Sequence, residues 1–425
     1  MISALILFGG FIFLLALNAP VAIAIGLPAV ALILFDGLGI ASISSTLYAS
    51  IAKYPLLAVP MFVFAGTVFE RCGAVSRMMV LASLASRGRP ALLGVMIVVL
   101  TMLLGGVSGS ANAVAAAVML MVLPTMTAAG YPKPLTASIV GASSTTDVLI
   151  PPSLALILYS VFVPDVTVPA LFAAGMVPGI LLGLAIIIPT YAMGRRATKG
   201  VMPIPDISWT KAFAEASWGL MAPVVILGGM RIGWFTPTEA AVVAAAYAAF
   251  LGVFIFRAMR LADLYRAAVD AAEMTAIIMM IVGMASLFAW AGATSGIFDP
   301  IGRTLLSLGE EHLVLAAVLL VLLLAGLVLD GVSMILIFTP ILIPVVRQMG
   351  WDPVWFGITL TLCNAVGQMS PPVAVAMMIT SRIAGVRMAS TLPYCKWLLL
   401  AMVVATLLMV WQPELALWLP RYLGY

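Results

Sequence analysis

Two acidic residues stand inside strongly apolar stretches of the chain, where their chemistry is unusual. Asp147 belongs to GASSTTDVLIPPS, residues 141–153, and Asp330 belongs to GLVLDGVS, residues 326–333. A carboxylate costs roughly 2.5–3.5 kcal/mol at the centre of a membrane-spanning helix, so an acid in such a place by default serves a function. Carbonyls, hydroxyls and a carboxylate suit a hard cation such as Na⁺. The two stretches therefore predict cation sites, with a helix cap as the alternative role for Asp147.

The sequence before each acid reads as a hairpin. Residues 91–104 are 14 apolar residues, about 21 Å as a helix, which is too short to cross a hydrocarbon core of roughly 30 Å. A polar stretch, GGVSGSAN at 105–112, and a second apolar arm at 113–126 follow. We expect a re-entrant hairpin whose tip lies at mid-membrane, and a matching hairpin at 313–346. Two short tilted spans joined by a turn are the alternative.

A Pro-Pro pair interrupts the helix that follows each hairpin. The interruptions are GASSTTDVLIPPS, residues 141–153, with the pair Pro151–Pro152, and CNAVGQMSPP, residues 363–372, with the pair Pro371–Pro372. Proline removes a backbone donor and clashes with the preceding turn, so it unwinds a span. Unwound backbone is tolerated at that depth only where it faces protein or lines a cavity. We therefore expect the two tips and the two breaks to meet near the midplane.

This meeting point supplies the candidate site residues. We expect the following residues to bind coupling ions: Ser110, Ser143, Ser144, Asp147, Gly326, Asp330, Ser333, Asn364 and Gly367. We expect Asn112, Thr146 and Ser370 to contact the substrate. Two other acids are interpreted as structural: Glu239, in the first turn of a helix opened by TPTEAA, and Glu70, at a helix end.

Composition excludes several classes of protein. Hydrophobic residues make up 64% of the 425 residues and charged residues 8%, against about 25% charged in a soluble domain. The chain is long enough to cross a membrane roughly ten times. It has one histidine, no Gly-Lys pair for a P-loop and three widely spaced cysteines, so no catalytic residues, cofactor or ATP site are expected. A membrane-embedded enzyme and a channel remain weaker alternatives, and the +4 charge indicates cytoplasmic loops rather than nucleic-acid binding.

Glycines and prolines recur at a fixed interval in the two halves. A shift of 220 residues aligns Gly106 with Gly326, and the first Pro-Pro pair with the second. With both termini outside, fifteen of the 20 basic residues face the cytoplasm, as the positive-inside rule expects. The five expected outside are Lys53, Arg231, Arg303, Arg347 and Arg421. Each half then has an odd number of crossings, so the copies are inverted, as in secondary transporters.

These patterns predict an all-α polytopic membrane protein with two inverted-topology repeats, each carrying a re-entrant hairpin and a broken helix. The first repeat is 1–194, with its hairpin at about 91–129 and its broken helix at about 134–163. Residues 195–211 form a cytoplasmic linker. The second repeat is 212–425, with its hairpin at about 313–350 and its broken helix at about 354–382.

Several motifs together resemble one family over essentially the whole chain. PMFVFAG at 60–66, GGVSGSAN, the first Pro-Pro break, TPTEAA and LDGVSMILIFTPILIPV at 329–345 are similar to the large membrane subunit of tripartite ATP-independent periplasmic (TRAP) transporters. The resemblance implies an elevator-type fold of the ion-transporter superfamily and Na⁺-driven uptake of a small organic acid. It also implies a multi-pass location in the bacterial inner membrane, a small four-helix membrane subunit and a periplasmic solute-binding protein. Proton coupling, with Asp147 as the titrating group, is the alternative.

The resemblance assigns two residues and shows one departure. Ser108 matches a serine associated with one Na⁺ site, and Asp330 matches the acid of the second site. Many relatives read SGSSxAD at the first tip, whereas this chain reads SGSANAV and has Val114 in place of the aspartate. We expect Asp147, in the facing break, to supply the missing charge.

The predicted orientation can be tested by thiol labelling. Single cysteines introduced near Lys199 should react with a membrane-impermeant maleimide only from the cytoplasmic side, and those near Arg303 only from the periplasmic side. The measurement is labelling in intact spheroplasts and in inverted vesicles, and the reverse pattern would overturn the inverted-repeat assignment.

Overall fold

The computed structural model describes residues 2–197, 206–371 and 373–425. These residues form helices joined by turns, with no β-strand among them. The helices of the first half are α1 Ile2–Ala16, α2 Val21–Phe35, α3 Ala41–Ile51, α4 Tyr54–Arg71, α5 Ala74–Ala85, α6 Pro90–Ser108, α7 Ala111–Ala128, α8 Lys133–Ser144, α9 Leu154–Phe162 and α10 Val168–Ala197. Those of the second half are α11 Trp209–Arg231, α12 Pro237–Ile255, α13 Leu261–Thr294, α14 Phe298–Leu306, α15 Glu311–Gly326, α16 Gly331–Gln348, α17 Pro353–Met369, α18 Val375–Ala384, α19 Met388–Trp411 and α20 Glu414–Leu423. Residues 198–205 of the predicted linker, Lys199 included, lie outside the described residues.

Membrane-spanning helices are present in both halves. Among the described residues, seven helices are long and apolar enough to cross a membrane, namely α7, α10, α11, α12, α13, α16 and α19. The pair α3–α4, bent by 62°, makes an eighth if it is one span. The number is below the ten crossings estimated from composition because further apolar helices, α2 and α15 among them, are shorter than these seven.

The two halves repeat the same series of helices. Helices α6 to α9 correspond to α15 to α18, each starting about 220 residues later. The turn between α6 and α7 is Gly109 and Ser110, and the turn between α15 and α16 is residues 327–330. One difference stands out: α3 and α4 are bent at their junction, whereas the equivalent α13 is continuous over 34 residues.

The helices pack as two groups. In the first group α2, α3 and α4 pack against α12 and α13. In the second group the hairpins and broken helices pack with α10 and α19. The groups touch where α4 and α5 meet α6, and where α13 meets α16. The second group therefore contains all of the predicted site elements.

Two predicted boundaries are wrong, and packing explains both. Helix α6 does not stop at Leu104 but continues through Gly105 and Gly106 to Ser108, because the glycines lie against the first break and gain contacts that offset their poor helix propensity. The second break starts at Ser370, not Cys363. Residues 363–369 contain no proline and keep their helical hydrogen bonds, while the residue before a proline is driven to extended backbone, as the ψ of 127° at Ser370 shows.

The structural interpretation of Glu239 is confirmed. The Thr236 side chain accepts a hydrogen bond from the Glu239 N–H at 3.3 Å, and the Glu239 carboxylate accepts one from the Thr236 N–H at 2.8 Å. This is a capping box, which satisfies two donors at the start of α12.

Hairpin α15–α16 contacts α17 backbone to backbone. A methyl group on Gly367 would lie 2.3 Å from the carbonyl carbon of Gly326. Such a distance leaves no room for a side chain, so glycine is required there by the close approach of two helices.

We expect Gly367→Ala to destabilise the protein by about 1–3 kcal/mol or more, because backbone atoms of Gly326 must move to admit the methyl group. The matched control is Gly228→Ala in α11, where a methyl group meets nothing within 4 Å and better helix propensity gives up to about 1 kcal/mol of stabilisation. The measurement is the melting temperature in detergent by fluorescence-detected gel filtration. Equal melting temperatures for the two variants would show that the backbone contact does not exist in solution.

Candidate functional site

One turn of 3₁₀ helix, Thr145–Val148, lies at the centre of the second group of helices. It follows α8 directly and packs against α6, α7, α8, α10 and α17. All four of its residues are buried. The predicted meeting of the first tip with the two breaks is therefore present, and this turn is where it occurs.

The last residues of α8 and the first residues of this turn carry hydroxyl side chains, which are hydrogen-bonded to the backbone. Ser143, Ser144, Thr145 and Thr146 each donate a hydrogen bond to the carbonyl three residues earlier, at 2.7–3.2 Å. Each hydroxyl donates its proton to a nearby backbone carbonyl, and the lone pairs of its oxygen can still accept a hydrogen bond. A buried row of such oxygens can accept a hydrogen bond or coordinate a cation.

Three glycines bring the first hairpin against the first break. A methyl group on Gly105 would lie 2.9 Å from the Asp147 Cα and Oδ1 atoms, and one on Gly106 would lie 3.1 Å from the Pro151 carbonyl oxygen. Gly109, at the tip, has φ +66°, and a methyl group on it would lie 3.3 Å from the Pro152 carbonyl oxygen. The tip and the break thus share one closely packed interface.

Asp147 is fully buried and has no hydrogen-bond partner among the described residues. Its side chain is 0% exposed, and neither carboxylate oxygen accepts a hydrogen bond within the described part of the chain. The N–H of Gly109, at the neighbouring hairpin tip, donates to the Gly105 carbonyl at 3.4 Å. A buried charge without a partner is strongly unfavourable, so the site calls for a cation or a proton.

Val114 faces a second carboxylate that the sequence analysis did not use. Val114 is 2% exposed and lines a small cavity with Leu104 and Glu70. Glu70 also lies close enough to act electrostatically on Asp147. Glu70 was interpreted as a structural residue because it precedes Arg71 at a helix end; only the packing of α4 against α6 reveals its neighbours.

The second tip is built around a polar network on α17. Asp330 stands immediately before α16, and the Ser333 hydroxyl donates to its carboxylate. The Asn364 amide donates to the Leu329 carbonyl at 3.4 Å, and the Gln368 amide donates to Asn364 Oδ1 at 2.5 Å. Asp330 is half-buried and Ser333 fully buried. Gln368, which was not predicted, belongs to this network; its spacing of four residues from Asn364 on one helix was the available signal.

The two centres are neighbours. A methyl group on Gly331 would lie 3.1 Å from Asn364 Oδ1 and 3.8 Å from the Val148 side chain. Val148 ends the 3₁₀ turn that carries Asp147. The first break and the second tip therefore lie side by side, one acid from each half.

The predicted substrate residues lie on three elements around this centre. Asn112 is in the first turn of α7, and its Oδ1 atom has no hydrogen-bond partner among the described residues. Thr146 is in the buried 3₁₀ turn. Ser370 directly follows α17, and its hydroxyl donates to the Val366 carbonyl at 2.8 Å. Helices α7 and α17 both pack on the turn, so the three elements converge, while the contact of each side chain with a substrate stays a prediction.

The donor set limits the ions that fit. Within the described ranges no three His, Cys, Asp or Glu side chains cluster as they would around a transition metal. Hydroxyls, backbone carbonyls and a carboxylate from each half remain, and such oxygen ligands suit a hard cation. The side chain of Ser108, assigned to one site by resemblance, lies outside the described part of the structure.

Comparisons with known proteins agree with this architecture. The family model described as "Tripartite ATP-independent periplasmic transporter, DctM component" matches residues 8–415. The chain is 33% identical over 398 residues to the C4-dicarboxylate TRAP transporter large permease protein of Pseudomonas aeruginosa, covering 93% of each chain. It is 30% identical over 422 residues to the sialic acid TRAP transporter large permease protein of Vibrio cholerae, covering 98% of each.

A solved structure shows the fold. The YdaH transporter of Alcanivorax borkumensis superimposes with a TM-score of 0.62 at 15% identity, over 89% of this chain and 90% of that one. The predicted fold class, an all-α polytopic protein with inverted repeats, hairpins and broken helices, is confirmed. The match over residues 8–415 and the relatives at 30% identity or more show that the chain belongs to the DctM component family of TRAP transporters, the large permease subunits, and is a membrane transporter rather than an enzyme.

Proposed function

We propose that this permease imports a small organic acid anion together with Na⁺. The observation that carries the proposal is the buried, unpartnered carboxylate of Asp147 among hydroxyl oxygens, next to the Asp330 centre. A bound Na⁺ supplies a positive charge next to the Asp147 carboxylate. It takes its remaining ligands from hydroxyls and from carbonyls of unwound backbone.

Four helix N-termini suit an anionic substrate. Helices α7 and α16 begin at the two tips, and α9 and α18 begin at the two breaks. Each N-terminus carries partial positive charge and free N–H groups. Two relatives are named as transporters of C4-dicarboxylates and of sialic acid, both carboxylic acids. An organic acid therefore matches the site and the family, with Asn112, Thr146 and Ser370 as its contacts.

The two groups of helices support an elevator mechanism. In this proposal the group with α2, α3, α4, α12 and α13 is a fixed scaffold, and the group with the hairpins and broken helices carries the site across the membrane. Inward movement of each Na⁺ contributes about 2.3 kcal/mol per 100 mV. Two or three coupled ions would drive strong accumulation of the acid.

Two partners complete the proposed system. A periplasmic solute-binding protein delivers the acid to the outer face, and a small four-helix membrane subunit packs beside the scaffold in the inner membrane. The support for both is membership in a family described as tripartite and periplasmic.

Proton coupling is the competing function, and Asp147 also favours it. A buried carboxylate without a partner is stabilised by binding a proton as well as by binding Na⁺. The hydroxyl row does not distinguish the two ions, so the coupling ion is decided by transport measurements.

Uptake into proteoliposomes should require Na⁺ outside, a loaded binding protein and the small subunit. Because the proposed ion site needs a cation with several oxygen ligands, choline should not replace Na⁺. The measurement is accumulation of radiolabelled acid under an imposed Na⁺ gradient and, separately, under a pH gradient. Robust uptake with only the pH gradient would favour proton coupling.

Asp147→Asn should weaken the apparent Na⁺ affinity of uptake by tenfold or more, because the carboxylate that balances the ion is lost. Glu70→Gln is the matched control, since it removes a neighbouring carboxylate by the same chemical change. It should leave the Na⁺ affinity within about twofold. Unchanged affinity in Asp147→Asn together with loss in Glu70→Gln would show that Glu70, not Asp147, replaces the acid missing at Val114.

A further inference from the structure

A long apolar groove lies between α10 and α19, away from the proposed transport site. Its volume is about 600 Å³, and its lining runs from residue 185 to 196 on α10 and from 397 to 408 on α19. Alanines at four of these positions leave space between large exposed side chains such as Ile188, Leu400 and Leu408, which are 72%, 53% and 53% exposed.

The two helices run antiparallel, which fixes the ends of the groove. Helix α20 follows α19 after two residues, and its Leu419 and Leu423 lie with Pro169 and Phe172 at the start of α10. The end of α19 is therefore beside the start of α10. Accordingly Arg196, at the end of α10, lies level with Trp397, at the start of α19.

The Arg196 end of the groove is positively charged and aromatic. The guanidinium of Arg195 lies 6.0 Å from the centre of the Tyr191 ring, and the Lys396 ammonium lies 5.3 Å from the centre of the Trp397 ring. Arg196 itself lines the groove, and none of its described lining residues is acidic. Basic and aromatic residues together are typical of the level of lipid head groups. The positive-inside rule places this end at the cytoplasmic leaflet.

The length and volume of the groove fit one acyl chain. Twelve helical residues rise about 17 Å, close to half of a hydrocarbon core of roughly 30 Å, which is the depth of one leaflet. The volume of about 600 Å³ lies in a groove that is open along one side, so an acyl chain can enter it from the bilayer.

We propose that this groove is a binding site for an anionic phospholipid of the cytoplasmic leaflet, with one acyl chain between α10 and α19 and the phosphate at Arg196. Charge complementarity selects the lipid: a juxtamembrane cation attracts an anionic head group, and a zwitterionic lipid gains less. Because α10 and α19 pack with the broken helices, the lipid is held by the group of helices that carries the site.

Native mass spectrometry of the purified permease tests the site. Delipidated protein is titrated with phosphatidylglycerol and, separately, with phosphatidylcholine of the same acyl chains. We expect one phosphatidylglycerol to bind in preference to phosphatidylcholine, and sn-glycerol 1-phosphate not to displace it. Equal binding of the two lipids, or displacement by the free phosphate, would overturn the proposal.

Two variants locate the binding. Arg196→Gln should weaken phosphatidylglycerol binding about fivefold, the effect of one cation at the membrane surface, while Arg303→Gln, an exposed arginine on α14, should not change it. Ala401→Trp fills the groove and should abolish the bound lipid, with gel filtration showing that the protein is folded. The proposal fails if both groove variants retain the lipid. It also fails if Ala401→Trp releases the small subunit and leaves lipid binding intact, since the groove would then dock that subunit.

Discussion

Hydrogen bonding of backbone groups in a medium without water is the constraint on which this structure depends. Four helices end inside the protein, at two tips and two breaks, and each end leaves N–H and carbonyl groups that hydrocarbon cannot satisfy. The chain brings the first tip and the first break together at the 3₁₀ turn Thr145–Val148, and the second tip and α17 lie beside them. Each of these polar groups would be unfavourable if it faced lipid alone. Together they form a shared polar centre that apolar helices surround.

Glycine makes this arrangement possible by letting backbones touch. Gly105, Gly106 and Gly109 bring α6 onto the first break, and Gly326 with Gly367 brings α15 onto α17. At such distances the walls of the centre are main-chain atoms, whose positions do not depend on rotamers. Rigid carbonyls and a few fixed side chains are what selective binding of a small ion requires.

The sequence was sufficient for the architecture because its signals are strong and local. Paired prolines, short apolar arms and a 220-residue repeat predict the hairpins and broken helices without tertiary information. Boundaries failed where packing outweighs propensity, as in the helical Gly105 and Gly106. The neighbours of Glu70 and the role of Gln368 depend on contacts between distant segments, which a single sequence does not reveal.

The bend between α3 and α4 is the main difference between this pair of helices and its counterpart α13 in the second half. Helix α13 is continuous and about 51 Å long at 1.5 Å per residue. Its counterpart in the first half, the pair α3–α4, is bent by 62°. At the junction of α3 and α4 the Lys53 ammonium donates a hydrogen bond to the Val161 carbonyl, near the end of α9, at 2.7 Å. This hydrogen bond joins the bent pair to the group of helices that holds the polar centre. The bent pair, unlike the continuous α13, is therefore tied by a side-chain hydrogen bond to a helix that begins at the first break.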